Sequence, residues 1–533
     1  MFEKLDNIYS NVYSWWWQSS NSNDQLGPLH VTLAIGLFAV IWILWVLFIK
    51  SNKSQPPLPP GPKGLPLVGN LLSLDPELHV YFAQLSQSYG PILTLRLGGK
   101  LGIVISSPAI AREVLKDQDT IFANRDVPVA GKEATYGGTD IVWTPYGPEW
   151  QMLRKVCVRE MLCNTSLDSV SDLRRKEVRQ TIKYFYSQAG SPVNIGEQMF
   201  LTVLNVITNM LWGGTMKGEE RSNLGAEFRE VVAEMTALLG FPNLSDFYPS
   251  LAMFDLQGVK KKMKKLVHRF DVIFETMIEQ RLKMDGVDGK GNDGKESIDF
   301  LQFLLKLKDQ QDAKIPLTMI HVKALLMDMV VGGTDTTSNS MEFVMAEMMN
   351  KPDILRKVQF ELETVVGKAN IVEEFHIHKL PYLYAVMKEI LRLHPVLPLL
   401  VPHCPSETTT VAGYTIPKGA RIFFNVWAIH RDPTIWENPL EFDPDRFLNS
   451  KCDYSGNDFA YFPFGSGRRI CAGTAMAERM FMFSVASLIH SFEWSLPEGD
   501  TLDLSEKFGI VLKKRIPLIV IPTPRLSSPT MYE

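Results

Sequence analysis

The sequence predicts a single large, mainly α domain with a small β portion, placed behind an N-terminal transmembrane helix. Three observations lead to this prediction. A long charge-free apolar run lies near the N-terminus, long helical patterns recur after it, and the few strand-like runs follow no alternating βα order. Of the 533 residues, 45% are hydrophobic and 21% are charged, so the chain can bury a large core and is not disordered as a whole.

Charge and cysteine content exclude two broad classes. The formal net charge of −4 argues against a nucleic-acid binder driven by overall basicity. The five cysteines form no CxxC pair and are too few for a disulfide framework in a chain of this length. We therefore expect most of the protein to lie in a reducing compartment, where a cysteine of functional importance acts through its sulfur chemistry.

The first element is the apolar run from Leu26 to Ile49, which contains no charged side chain. As a helix it would be about 36 Å long, enough for a hydrocarbon core of about 30 Å. A signal peptide would have a shorter apolar region ending in small residues, whereas this run ends in bulky ones before Lys50. A buried core helix is the other alternative. We predict a short N-terminal segment at 1–28 and a transmembrane anchor at 29–49.

The flanks of this run predict its orientation. Lys4 is the single basic residue before it, whereas three lysines follow it by position 63. Positive residues remain on the cytosolic side, so the N-terminus is predicted to be luminal. Residues 50–70 are first basic and then rich in proline, which predicts a stiff hinge. Residues 71–533 then form the cytosolic domain.

The remaining elements are mostly helices. Two alternating runs, Ile92–Gly99 and Leu101–Ser107, predict a β-hairpin, and Ser107 followed by a proline predicts a helix start. These elements and the absence of an internal repeat favour one large domain. Long helical patterns occur at Trp150–Met161, Leu173–Ser187, Val259–Met284, Leu317–Asn350, Asp353–Val366 and Pro381–Leu393.

A glycine-rich segment resembles a dinucleotide fingerprint in spacing alone. Gly289, Gly291 and Gly294 have the G-x-G-x-x-G spacing, but no strand precedes them and no apolar helix follows directly. We interpret the segment as a surface loop. The chain also contains no P-loop pattern, so we predict that it has no flavin or nicotinamide site of its own.

The chemistry is carried by one loop near the C-terminus, Phe464-x-x-Gly467-x-Arg469-x-Cys471-x-Gly473, directly before a helical pattern. A thiol near a helix N-terminus is favoured as the thiolate, and glycines let the backbone approach a flat ligand. The arginine suits an anionic group. With no histidine or second cysteine nearby, the loop fits neither zinc nor an iron–sulfur cluster, but it suits an axial ligand to haem iron.

This loop resembles the haem-binding loop of the cytochrome P450 family, the haem-thiolate monooxygenases, with Cys471 as the iron ligand. Glu389-x-x-Arg392 resembles the family's E-x-x-R, and Arg446 in FDPDRF matches the arginine that completes a buried charge triad. The resemblance implies that these three residues have a structural role on the proximal side of the haem pocket. Phe464 and Arg469 belong to the haem-binding loop itself.

Further matches concern the haem propionates and oxygen. Trp150 and Arg154 resemble the family's W-x-x-x-R, which implies that both donate to a propionate, and His403 stands where the family often has a propionate-binding residue. The centre of the longest helix matches the oxygen-binding motif, with Thr336 as the proton-donating alcohol and Asp335 as the acid beside it. From composition alone, its glycines and hydroxyls predict either a kink or close helix contact, or a locally opened helix.

The resemblance implies the cofactors and partners. It implies haem b, O2, and NADPH used only indirectly, through a membrane-bound NADPH-dependent flavoprotein reductase. Docking is predicted around the cysteine loop, where Arg468, Lys155 and Arg159 would form a basic patch. The other expected partners are membrane lipid and a hydrophobic small molecule, with no nucleic acid. We expect a monomeric, single-pass protein of the endoplasmic reticulum membrane.

The substrate is the least determined prediction. The chain is most similar to a plant group containing sesquiterpene oxidases of the cadinene hydroxylase kind, with flavonoid hydroxylases as near relatives, so a sesquiterpene or other terpenoid is expected and a flavonoid is the alternative. A haem-thiolate isomerase or dehydratase, or a non-catalytic haem protein, are remoter alternatives. The predicted substrate-facing stretches are Val127–Pro145, Thr236–Tyr248, Met327–Thr336, Val396–Pro402 and Phe508–Leu512.

Overall fold

The computed structural model describes residues 34–42, 56–213, 219–287, 299–310 and 315–533, which fall into two units, Met1–Pro57 and Leu58–Glu533. In the first unit, residues 34–42 are helical. Within the described ranges, no helix is both long enough and apolar enough to cross a membrane. Most of the predicted anchor at 29–49 lies outside the described residues, as does the glycine-rich segment at 289–294.

The second unit is mainly helical, as the sequence predicts. Two π-helical turns, Glu113–Asp117 and Val156–Met161, continue the helices before them. The α-helices, numbered here in chain order, are α1 (Leu78–Tyr89), α2 (Pro108–Arg112), α3 (Asp119–Phe122), α4 (Val129–Ala134), α5 (Pro148–Lys155), α6 (Asn164–Ser169), α7 (Ser171–Ser187), α8 (Ile195–Trp212), α9 (Glu219–Gly240), α10 (Leu244–Phe247), α11 (Val259–Val287), α12 (Phe300–Asp309), α13 (Met319–Asn350), α14 (Pro352–Val365), α15 (Pro381–Leu393), α16 (Val426–Ile429) and α17 (Thr474–Ser491).

The β portion consists of short strands in small sheets. The largest has the order β1-β2-β8-β5-β3, with β2 and β8 parallel and the other neighbours antiparallel. Strands β1 and β2 form the predicted hairpin. The smaller sheets are β4-β12-β9, β6-β7 and β10-β11. The strands are β1 (Ile92–Leu97), β2 (Lys100–Ile105), β3 (Asn124–Arg125), β4 (Val193–Asn194), β5 (His403–Cys404), β6 (Thr409–Val411), β7 (Tyr414–Ile416), β8 (Arg421–Phe424), β9 (Phe492–Ser495), β10 (Glu506–Lys507), β11 (Lys513–Lys514) and β12 (Ile519–Pro524).

Helix α13 lies in the middle of the core. Every residue from Thr337 to Met348 is buried, as expected for a helix that is packed on all sides. Thr318 caps its N-terminus by accepting the His321 N–H at 3.3 Å. The helix runs without interruption to Asn350, so the predicted local opening at its centre is wrong. The hydroxyls there bond to carbonyls four residues back and stay within the helix.

A buried charge cluster fixes α15. The Arg392 guanidinium donates to both carboxylate oxygens of Glu389, at 2.7 and 2.8 Å, and both residues are fully buried. Arg446 Nε donates to the same carboxylate at 3.2 Å, and the Asp443 N–H donates at 2.9 Å. Because each carboxylate oxygen has donors, the buried charge is compensated, and α15 is tied to the 3₁₀ turn Pro444–Phe447.

Replacing Arg392 by lysine should destabilise the protein strongly. Lysine keeps the charge but cannot form the two-pronged contact with Glu389, so we expect a loss of about 3–5 kcal/mol in the free energy of unfolding. Thermal unfolding measures this. Arg356→Lys is the control, because Arg356 pairs with Asp353 at the same i,i+3 spacing on an exposed surface, where the cost should stay below about 1 kcal/mol. Equal melting temperatures for the two variants would contradict the prediction.

Candidate cofactor and substrate site

A cavity of ≈ 360 Å³ lies between α13 and the cysteine loop. It brings together residues that are far apart in sequence and that the motifs singled out. Trp150, Asp335 and the cluster of Glu389, Arg392 and Arg446 do not line it. The predicted site residues that do line it are Arg154, Thr336, His403, Phe464, Arg469 and Cys471.

The cysteine loop presents one thiol to this cavity. Cys471 Sγ accepts the Gly473 N–H at 3.3 Å, and the Cys471 N–H donates to the Phe464 carbonyl at 3.0 Å. Burial raises the pKa of the Cys471 thiol, while the Gly473 N–H and the Arg154 charge act in the opposite direction. Gly467 has φ +68°, and a Cβ there would lie 2.5 Å from the Leu115 carbonyl oxygen, so this turn requires glycine. The Gly473 N–H is thus placed to stabilise the thiolate that a bound metal would produce.

Buried guanidinium groups form one wall of the cavity. Arg125, which the sequence analysis missed, donates to the Val401 carbonyl, and its Nε has no hydrogen-bond partner in the described structure. Burial and the Arg469 charge lower the pKa of Arg125 to about 9, and burial lowers the pKa of Arg469 to about 10. Arg469 donates to the backbone carbonyls of Ala123, Ile141, Val142 and Thr144.

These cations and the single thiol together fit haem. Crowded buried cations need an anionic ligand, and haem b offers two propionates on a flat apolar ring. Arg125, Arg154 and Arg469 all line the cavity that Cys471 also faces. Arg125 in β3 had one signal in the sequence, a basic residue two positions after the apolar pair Phe122-Ala123, but that signal is weak without the fold.

His403 lines the cavity as a neutral ring. Its Nδ1 lies 2.8 Å from the Phe122 carbonyl, which can only accept, so the ring proton is assigned to Nδ1. Burial and the Arg125 charge hold the pKa of His403 well below its usual range, so the ring is neutral. In this form Nε2 has no proton to give to a propionate. A propionate contact for His403 stays a prediction, and Arg125 is the better donor.

Trp150 and Arg154 lie one turn apart on α5, and each contacts a different loop beside the cavity. Trp150 Nε1 donates to the Ile141 carbonyl at 3.0 Å, and its ring lies 4.4 Å from the Arg469 guanidinium. Arg154 donates to the Ile470 carbonyl at 2.6 Å. Both residues thus tie down the loops around the cavity, and their contact with a propionate stays a prediction.

On the opposite wall, α13 contributes a hydroxyl but not its neighbouring carboxylate. Thr336 faces the cavity, and its Oγ1 donates to the Gly332 carbonyl at 2.8 Å. Asp335 is buried, with 4% of its surface exposed, and it points to other partners. Gly333 allows α13 to approach α8 closely, since a Cβ at this position would lie 2.6 Å from Ile207 Cδ1. A close helix contact was one of the two interpretations of the glycines in the sequence.

Two carboxyl groups that the sequence analysis did not single out also line the cavity. Asp328 on α13 accepts the Ile141 N–H at 2.9 Å, and Asp140 accepts the Trp143 N–H at 2.7 Å. Burial raises the pKa of both, and that of Asp328 rises further because of the Asp140 charge beside it. The pair therefore retains a proton at a pH where an isolated aspartate would have lost it.

Comparisons with known proteins agree with this geometry. The family model for cytochrome P450 matches residues 59–520. The chain is 39% identical over 476 residues to a flavonoid 3'-monooxygenase of Crocosmia x crocosmiiflora, covering 87% of this chain and 92% of the relative. It is 37% identical over 468 residues to a carnosic acid synthase of Rosmarinus officinalis, covering 86% and 91%. A solved zebra fish cytochrome P450 with progesterone has a TM-score of 0.72 at 27% identity, covering 84% and 99%.

Cys471→Ser should abolish the red-shifted Soret band of the reduced, carbon-monoxide-bound protein, because serine cannot replace the thiolate's electron donation. Absorption spectroscopy measures this, together with haem content. Alanine at each of the other four cysteines should leave the band in place, and a band that survives in Cys471→Ser would show that the ligand is wrong. These control positions are Cys157, Cys163, Cys404 and Cys452.

The stability of Asp328→Asn, measured relative to wild type, should increase as the pH rises. A carboxyl with a raised pKa in the folded state stabilises the fold at low pH, and this stability is lost as the pH rises from its unfolded pKa towards its folded one. Asparagine does not titrate and can still accept the Ile141 N–H. The melting temperature of the variant minus that of wild type should therefore increase between about pH 5 and pH 8.

Asp75→Asn is the matched control for this measurement. Asp75 is exposed and likewise accepts a backbone N–H, from Glu77 at 2.8 Å. Its melting-temperature difference should not follow that of Asp328→Asn. A pH-independent difference for Asp328→Asn would contradict the raised pKa.

Proposed function

The chain belongs to the cytochrome P450 family, and from this premise we propose that it is a monooxygenase that hydroxylates a hydrophobic plant metabolite, with a terpenoid as its substrate class. Haem bound through Cys471 supplies the oxygen activation, using O2 and electrons from an NADPH-dependent reductase. The chain's own residues hold the cofactor, position the substrate and deliver protons. The shape and polarity of the cavity wall support the substrate class.

The terpenoid proposal rests on the aliphatic character of the cavity wall outside the cysteine loop and α17. Among the described residues of that part of the wall, Trp143 is the one side chain with a large aromatic ring, so little surface is present there for stacking a flat aromatic substrate. Flexible methionines and branched side chains suit a saturated hydrocarbon skeleton. They are Val203, Ile207, Met210, Met235, Leu239, Met327, Met329, Val331, Val396, Leu397, Ile510 and Val511.

A flavonoid is the second candidate, favoured by two observations. Five of the relatives compared, including the one from Crocosmia, are flavonoid hydroxylases, at 37–39% identity. In addition, the Asp140–Asp328 pair gives the apolar cavity a polar point that can accept a hydrogen bond from a substrate hydroxyl.

A substrate screen distinguishes the two. Microsomes containing the enzyme and a reductase should convert a terpene in the presence of NADPH, while flavones remain unchanged. Conversion of flavones alone would overturn the terpenoid proposal in favour of the second candidate. Product formation without O2 or NADPH would indicate an isomerase, and NADPH oxidation with neither product nor peroxide would contradict a monooxygenase.

We propose that the reductase docks beside the cysteine loop. Lys155 and Arg159 are exposed, and the side chain of Arg468 is 45% exposed and pairs with Asp119 at 3.1 Å. This charge distribution supports the basic patch for an acidic partner.

We further propose that the protein is anchored in the endoplasmic reticulum membrane by residues 29–49. An exposed apolar surface on the second unit supports a membrane contact, because soluble surfaces seldom carry several large apolar side chains together. Tyr248 links the two segments that form it by donating to the Leu67 carbonyl at 3.0 Å. The exposed side chains are Leu65, Leu67, Met253, Phe254 and Leu256.

Deleting residues 1–49 should release part of the protein from membranes while haem binding persists. In that background, Met253→Ser with Phe254→Ser should release more, because these side chains are 81% and 63% exposed. Phe360→Ser is the control, since Phe360 is 73% exposed on α14. Membrane flotation measures all three. A haem-free, unfolded deletion product would instead favour a buried-helix role for the apolar run.

A further inference from the structure

The carboxylate of Asp335 lies between two side chains from other elements. Lys513 Nζ on β11 lies 2.6 Å from Asp335 Oδ2, and Thr236 Oγ1 on α9 lies 3.1 Å from the same oxygen. Thr236 lines the cavity, whereas Asp335 does not. The carboxylate therefore reaches the cavity through the Thr236 hydroxyl.

The other end of this chain of contacts reaches solvent. The Lys513 side chain is 37% exposed, whereas that of Asp335 is 5% exposed. Lysine carries three rotatable protons, so it can contact a buried carboxylate and water together. Lys513, Asp335 and Thr236 thus form a continuous series of hydrogen-bonding groups from solvent to the cavity, and the series crosses three separate elements.

We propose that Lys513 and Thr236 are the positioning and proton-relay residues of this site, with Lys513 supplying protons to Asp335 and Thr236 passing them into the cavity. The proposal rests on the proposed monooxygenase function, for which the family resemblance implies that Asp335 takes part in proton delivery. The ammonium of Lys513 gives a proton to the Asp335 carboxylate, which passes it to the Thr236 oxygen as the hydroxyl proton of Thr236 leaves towards the cavity. Asp335 is then a carboxylate again, and solvent water reprotonates Lys513. No electron moves in these steps, and each group ends as it began.

A purely structural role for the ion pair makes a different prediction. The pair also connects the segment before β11, which contributes Ile510 and Val511 to the cavity wall, to α13. Arginine at position 513 would preserve a charged contact with Asp335, but a guanidinium does not release its proton in proteins. Lys513→Arg therefore separates the two roles, since it retains the pairing and removes the proton supply.

The experiment compares the full-length enzyme with reductase and the substrate found in the screen. Lys513→Arg and Lys513→Met should both lower product formed per NADPH by about tenfold and release more hydrogen peroxide, with a larger solvent isotope effect on turnover than wild type. Lys507→Met is the matched control. Lys507 is exposed and lies opposite Lys513 in the antiparallel pairing of β10 with β11. The carbon-monoxide band should remain unchanged in all variants.

Thr236→Val should have the same effect as the lysine variants, and Thr236→Ser should restore wild-type coupling because serine keeps the hydroxyl. Wild-type coupling in Lys513→Arg, or in Thr236→Val, would overturn the proposal. Asp335→Asn shows whether a negative result concerns the Lys513 relay alone or proton delivery by Asp335 as well. If Asp335→Asn is impaired while Lys513→Arg is normal, the relay through Lys513 alone is wrong. If Asp335→Asn is also normal, proton delivery by Asp335 is wrong as well, while hydroxylation by wild type still stands.

Discussion

Buried arginines that donate to backbone carbonyls are the interaction on which the rest of the site depends. Loops that cross a helical core expose carbonyl oxygens that water cannot reach, and each of these needs a donor. Arg469 and Arg154 supply donors to the loops around the cavity, and Arg392 does the same for the carbonyls of His430, Pro439 and Glu441 behind α15. The irregular backbone that carries Cys471 can therefore remain ordered inside the protein. The same guanidinium groups leave positive charge in the cavity, which suits an anionic cofactor.

The sequence located candidate residues best where their pattern lies within a short stretch of the chain. The Cys471 loop, the Glu389–Arg392 pair and Thr336 are each recognisable within a few residues, because local backbone geometry sets their chemistry. Arg125 and Asp140 could not be assigned in this way. Their importance arises from what surrounds them after folding, and single charged residues in otherwise ordinary segments carry little signal.

Other differences have specific physical causes. The centre of α13 was predicted as a possible opening because glycine and threonine form helices poorly, but the helix is continuous there, and the Thr334 and Thr336 hydroxyls bond to carbonyls four residues back. His403 was assigned to a propionate on the basis of its position, and the carbonyl of Phe122, which is 281 residues away in sequence, fixes its tautomer. Asp335 directly precedes Thr336 in the chain, but the helix turns the Asp335 carboxylate towards Lys513, which is far away in sequence.

The adjacent glycines of α13 have a consequence for redesigning the enzyme. A methyl group added at Gly332 would meet no atom within 4 Å and would extend directly into the cavity. A methyl group at Gly333 would instead displace the terminal carbon of Ile207, which itself forms part of the wall. Gly332→Ala would thus fill part of the cavity, whereas Gly333→Ala would shift the Ile207 side chain of α8 in its wall. A single dipeptide thus offers two separate ways to change the shape of the cavity.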